Sequence, residues 1–187
     1  MKTMAQGQGS IGGSATGARM TRVNPQRFVV FFVSQRCSLR SVLAEACLTH
    51  LCEKRFAAYS CGNPHRLAHE VHPAAVNALA GANISLRSQP RRSWNDLSSL
   101  GAPKADFVIT LDEDTLPRQP RWPGQPNSAL WALPDIAEIS DPEALAHASI
   151  QTLYVLRRRL ELLVNLSLRS ADRAAFQMDV RDMAFMP

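Results

Sequence analysis

The sequence predicts an α/β fold, a three-layer α/β/α sandwich built on a four-stranded parallel sheet. Three observations predict it. Phe28-Val29-Val30-Phe31-Phe32-Val33 is a continuous apolar, β-rich run, the pattern of a strand buried on both faces. Asp106-Phe107-Val108-Ile109-Thr110-Leu111 repeats that pattern later in the chain. Between and after these runs, segments of helical spacing alternate with short strands, and crossover helices between strands imply parallel pairing.

Each element follows in order. From Arg40 to about Arg55, Leu43, Ala46, Cys47, Leu51 and Cys52 fall on one helical side. Phe56-Ala57-Ala58-Tyr59-Ser60 reads as a second strand, stopped by Gly62 and Pro64. His72-Pro73 opens a helix with proline in its first turn, and Gly81 closes it. Residues 86–103 are basic and loop-rich, with a short helix expected from Trp94 to Leu100. Four prolines between Pro117 and Pro126 specify a loop, and Ala129 to Leu133 is a short fourth strand. Asp141-Pro142-Glu143 is a helix start: a capping carboxylate, then proline, then an acid at the positive end of the dipole. That helix is expected to reach Leu166, with Leu145, Ala148, Thr152, Leu156, Leu160 and Leu163 facing inward.

With 187 residues the chain suits one domain with tails. Residues 1–22, rich in glycine and free of acids and aromatics, read as a disordered leader; 23–166 as the α/β domain; 167–187 as a weakly structured tail. No apolar run is long enough to span a membrane, and the N-terminal stretch lacks the apolar core of a signal peptide. Four cysteines in such a length are no disulfide scaffold, and a cytoplasmic location is expected. The net charge of +5 permits an anionic ligand without arguing for nucleic acid.

In parallel sheets, ligands bind at the carboxyl ends of strands. This draws the eye to Ser34-Gln35-Arg36-Cys37-Ser38-Leu39-Arg40-Ser41, between the first strand and its helix. Backbone N–H groups in such a loop, with the helix dipole behind them, favour an anion, and the Arg40 fork suits two oxygens of a phosphate-like ion. The same residues also suit an ordinary strand–helix junction.

Several of these segments together resemble the low-molecular-weight protein tyrosine phosphatases and the related thioredoxin-coupled arsenate reductases. Phe31-Phe32-Val33 followed by Arg40-Ser41-Val42-Leu43-Ala44-Glu45-Ala46 resembles that family's first strand, loop-ending Arg-Ser and helix. Ser60-Cys61-Gly62, Val71-His72-Pro73, Leu86-Arg87-Ser88, Ala105 to Asp112 and Trp131-Ala132-Leu133-Pro134-Asp135 resemble further family segments, in order, over about 28–166. The resemblance implies an oxyanion-binding loop over Ser34–Ser41, catalytic roles at residues 34, 40 and 135, and no cofactor.

The departures from the family pattern carry as much information. The family motif is Cys-x5-Arg, with the cysteine as nucleophile; counting back from Arg40 reaches Ser34. Arg36 and Cys37 stand where the family has glycine and asparagine. A serine is not ionised by amides and a guanidinium as a thiol is; it needs an adjacent base, and the loop has no His, Asp or Glu. A residue larger than glycine at position 36 is also expected to reshape the loop. Cys37 lies too near Arg40 for a full cradle. Asp135 is the candidate general acid, preferred over Asp141, whose capping role explains it. Residues 82–103 hold no cysteine for a thiol relay, and Ala137 and Glu138 stand where the phosphatases place aromatics.

Other clusters have plainer readings. Cys61, His65, His69 and His72 match no standard zinc spacing, and no metal site is assigned. Cys47 and Cys52 read as core, and Arg157-Arg158-Arg159 as a solvated helix face. The expectation is a catalytically impaired member that binds phosphate, sulfate or arsenate-like anions, or a phosphorylated protein. The alternatives are an active phosphomonoester hydrolase or arsenate reductase-like enzyme using Ser34 or Cys37, and a non-catalytic interaction scaffold.

Overall fold

The computed structural model describes residues 27–166 and 173–186. The leader and residues 167–172 lie outside the described residues. Strand β1 (Phe28–Ser34) leads through helix α1 (Arg40–Cys52) to β2 (Phe56–Gly62). Helices α2 (Pro73–Gly81) and α3 (Trp94–Ser98) precede β3 (Phe107–Thr110), β4 (Asn127–Leu130) and the long helix α4 (Pro142–Asn165). The sheet order is β2-β1-β3-β4, all parallel, with Val33 paired to Cys61 on one side and to Thr110 on the other.

The run Phe28–Val33 occupies the sheet interior, as its unbroken apolarity predicts. Val30 and Phe32 enter the larger core, with residues of α1, α2 and α4; Phe31 and Val33 enter a smaller one with Trp94, Leu97 and Val108. All four are fully buried. The period-2 alternation of a strand thus serves two cores from one continuous apolar segment.

Caps fix the helix starts. The Asp141 carboxylate accepts the Ala144 N–H at 2.7 Å, with Pro142 behind it. Ser93 and Asp96 form a reciprocal capping box at α3, and His72 Nδ1 accepts the Ala74 N–H at α2. Helix α1 has no side-chain cap, so its first N–H groups are left for whatever its entry loop holds.

Three expectations are corrected. Over Arg173–Asp182 the expected weak tail is a helix, α5, followed by a 3₁₀ turn at Met183–Phe185. Val180 and Met183 are buried, and the Trp131 indole N–H donates to Val180 O at 2.9 Å, tying this segment to the core. Arg159 is not on a solvated face: it is buried, and its Nη2 donates to Ala184 O and Met186 O, so the turn after α5 covers it. The fourth strand begins earlier than expected, at Asn127, and ends at Leu130.

Among the described residues no helix is long and apolar enough to cross a membrane. No group of three or more His, Cys, Asp or Glu is placed to hold a metal ion, again among the described residues.

Candidate oxyanion site

The chain runs from β1 through α1 to β2 on one side, then crosses to β3 on the other side of β1. A crevice opens at the carboxyl ends of strands where the order reverses in this way. The loop after β1 and the segment after β3 flank that point. Val33 and Thr110 are register partners, so Gln35 and Asp112, each two residues further on, come to the same level.

The loop carbonyls face outward. Gln35 O accepts the Asn63 N–H, Arg36 O the Ala68 N–H and Ser38 O the His72 N–H, at 2.9 to 3.0 Å. Peptide planes held this way turn their N–H groups to the opposite side. Among the described residues, the N–H groups of Arg36, Ser38, Leu39 and Arg40 meet no protein acceptor. The backbone therefore keeps donors that an oxyanion requires.

Ser34 is buried, with Oγ 2.8 Å from Ser41 Oγ and accepting the Cys37 N–H at 3.2 Å. Neither partner is a base. Cys37 carries the loop's left-handed backbone, φ +51°. The left-handed conformation lies at Cys37 rather than at Arg36, and a non-glycine residue there costs on the order of 1 kcal/mol. The Cys37 thiol is fully buried, 3.5 Å from Ser60 Oγ, whose other partner is the Glu45 carboxylate. That placement ties Cys37 to the β2 side and away from solvent.

Gly62 explains how the loop lies so close to β2. A Cβ at Gly62 would stand 3.0 Å from both Cys37 Cβ and Cys37 N, and 3.1 Å from Arg36 C. Gly62→Ala is expected to destabilise the fold by about 1–3 kcal/mol, because loop backbone must move. Urea unfolding of the two proteins checks this.

Arg40 is 4% exposed. Its Nη1 donates to Leu133 O at 2.6 Å and lies 3.4 Å from Leu111 O. Its Nη2 pairs with Asp112 Oδ1 and lies 3.2 Å from Asp135 Oδ2. The guanidinium is thus clamped between the segments after β3 and β4. Asp135 divides its carboxylate between Arg40 and the Ala137 N–H. Asp141, the rejected candidate acid, serves only its helix cap among the interactions described. Arg36 reaches over to Glu138 at 3.0 Å, an exposed pair contributing little stability.

Asp112 is the residue that sequence reasoning missed. Its Oδ2 accepts the Gln35 N–H at 2.8 Å while Oδ1 pairs with Arg40. It therefore occupies two donors of the very loop expected to hold an anion. An acid directly beyond a buried strand is the local signal, and it gains meaning only once β3 lies beside β1. A cavity of about 400 Å³ opens here, lined by Arg40, Asp112, Glu113, Asp114, Asp135 and the stretch 132–134. Of the predicted loop, only Arg40 lines it.

The thiols behave as packing groups. Burial pushes Cys47 up to about 11 and Cys61 well above its ordinary value. Under native conditions Cys52, partly exposed at the end of α1, is expected to alkylate first. Cys37, Cys47 and Cys61 are expected to react only on unfolding, which peptide mapping after iodoacetamide treatment checks.

A four-stranded, all-parallel sheet flanked by helices, with an Arg at the end of the loop after its first strand and a carboxylate beyond the fourth, is the three-layer α/β/α architecture of the low-molecular-weight phosphatase class. The family model of low molecular weight phosphotyrosine protein phosphatases matches residues 29–163, and the chain belongs to that family. Among solved structures, an arsenate reductase in its phosphate binding state is 26% identical, with TM-score 0.58, covering 73% of this chain and 96% of that one. The tyrosine phosphatase Wzb from Escherichia coli K30, in complex with sulphate, shares the fold at 18% identity and TM-score 0.57, covering 74% and 99%. An arsenate reductase from Archaeoglobus fulgidus does so at 22% and 0.56, covering 74% and 99%. Comparison with curated proteins finds no match.

Proposed function

We propose that this chain is a catalytically impaired member of the family that binds a phosphate-like oxyanion through the loop Ser34–Ser41 and Arg40. One observation carries the reading. The residue at the nucleophile position is a serine whose Oγ partners are Ser41 Oγ and the Cys37 N–H, with no base among them. A hydroxyl so placed stays protonated and a poor nucleophile at neutral pH.

The rest of the site supports binding without turnover. The N–H groups of Arg36, Ser38, Leu39 and Arg40 remain available, and Arg40, shared with Asp112 and Asp135, supplies a buried cation. The partly similar arsenate reductase was solved in a phosphate binding state. Asp135, the candidate acid, has its carboxylate oxygens on Arg40 and on a backbone N–H, so it is not poised to give a proton to a leaving group. The four free thiols suit a reducing, cytoplasmic setting.

The test pairs two readouts on the purified protein: thermal stabilisation by phosphate or arsenate, and hydrolysis of p-nitrophenyl phosphate. Stabilisation that grows with ligand, by roughly 2.7 kcal/mol at a hundredfold excess over Kd, with no turnover, is the expected result. Turnover lost in Arg40→Ala would instead establish an active enzyme with another nucleophile. No response to any oxyanion would leave an interaction scaffold.

A further inference from the structure

We infer that Asp112 is a specificity-determining residue of this site, admitting oxyanions that carry their own proton and rejecting those that do not. The inference rests on the oxyanion-binding reading above and narrows it. The Asp112 carboxylate is 12% exposed, with one oxygen on the Gln35 N–H and the other on Arg40. An anion reaching Arg40 from the cavity therefore lies beside a carboxylate. Asp135 flanks the same guanidinium, and Glu113 and Asp114 line the cavity with them.

Four carboxylates against one lining arginine make a poor home for an ion offering only acceptor oxygens. Such an ion sets lone pairs against lone pairs, and the mismatch is costly where water is partly excluded. An ion with an O–H has the missing donor: its charged oxygens take Arg40, and its hydroxyl donates to a carboxylate oxygen. Hydrogen phosphate and hydrogen arsenate have that hydroxyl. Sulfate has none, and neither has the dianion of a phosphomonoester. Discrimination of this kind comes from the group left unpaired in the wrong complex rather than from size. The ligand class so defined is free inorganic phosphate or arsenate.

Equal charge makes the test clean. At about pH 8, hydrogen phosphate, sulfate and phenyl phosphate are all dianions. Calorimetric titration of the native chain with each, and with arsenate, is expected to give phosphate and arsenate binding at least about tenfold tighter than sulfate or phenyl phosphate. In Asp112→Asn, which keeps the shape and replaces the carboxylate by an amide that can donate, the gap is expected to close to within about threefold, chiefly through tighter sulfate binding. Asp112→Ala serves as a second variant, with circular dichroism checking both folds, and the native arm needs neither. Sulfate binding as tight as phosphate to the native chain, or an unchanged ratio in folded Asp112 variants, overturns the inference alone. Absence of all four ligands from native and variant chains overturns the binding reading along with it.

Discussion

Arg40→Ala is expected to lower stability by about 2–4 kcal/mol and to abolish any response to phosphate. The stability loss follows from what the guanidinium neutralises. Asp112 and Asp135 both point at Nη2, and neither is fully solvated, at 12% and 28% exposure. Without the cation, two carboxylates face one another with only the Gln35 and Ala137 N–H groups for support. Removing one partner from a buried charge cluster typically costs about 3–5 kcal/mol, and the partial exposure of Asp135 lowers that figure. Leu133 O also loses its donor. Arg40→Lys separates charge from geometry: it restores one cation but not the fork that reaches Leu133 O and Asp112 together. Its stability is expected between the two, with phosphate binding still weakened. Urea unfolding and thermal shift with and without phosphate measure both effects. An Arg40→Ala protein as stable as the native chain would mean that the two carboxylates repel less than their placement implies.

How much of this was legible beforehand depends on whether the signal was local. β1 was legible because burial on both faces leaves an unbroken apolar run, and α4 because Asp141-Pro142 punctuates its start. The loop and Arg40 were legible because strand, polar loop and helix are contiguous in sequence. Asp112 was not, because its role depends on β3 lying beside β1, a pairing between residues far apart in the chain. The same holds for Arg159: three consecutive arginines suggest a solvated face, yet α4 turns the third under Met183–Phe185. That segment looks like a tail in the sequence, since its few apolar residues make sense only against Trp131 and its neighbours. Replacement of glycine by Arg36 drew attention, but the left-handed conformation belongs to Cys37, which must pass beneath Gly62.

Ser34→Cys tests whether impairment resides in the nucleophile or in the loop. A thiol at this position would inherit the Cys37 N–H and the Ser41 hydroxyl as partners, and both favour a thiolate. With p-nitrophenyl phosphate the leaving phenolate departs without help from Asp135, so the rate reports on the attacking atom and on Arg40. Turnover is expected to rise at least about tenfold above the native background, equivalent to about 1.4 kcal/mol of transition-state stabilisation. The gain should remain modest, because the transferring phosphoryl group must share Arg40 with Asp112. Adding Asp112→Asn to Ser34→Cys should then raise turnover further, since the guanidinium is freed and a carboxylate is removed from beside a developing dianion. The ordering native, Ser34→Cys, double variant is the discriminating outcome. A folded Ser34→Cys chain that alkylates at residue 34 yet shows no turnover, alone or with Asp112→Asn, would locate the defect in the loop around Arg36 and Cys37. In that case the left-handed turn at Cys37, rather than the missing sulfur, separates this chain from catalysis.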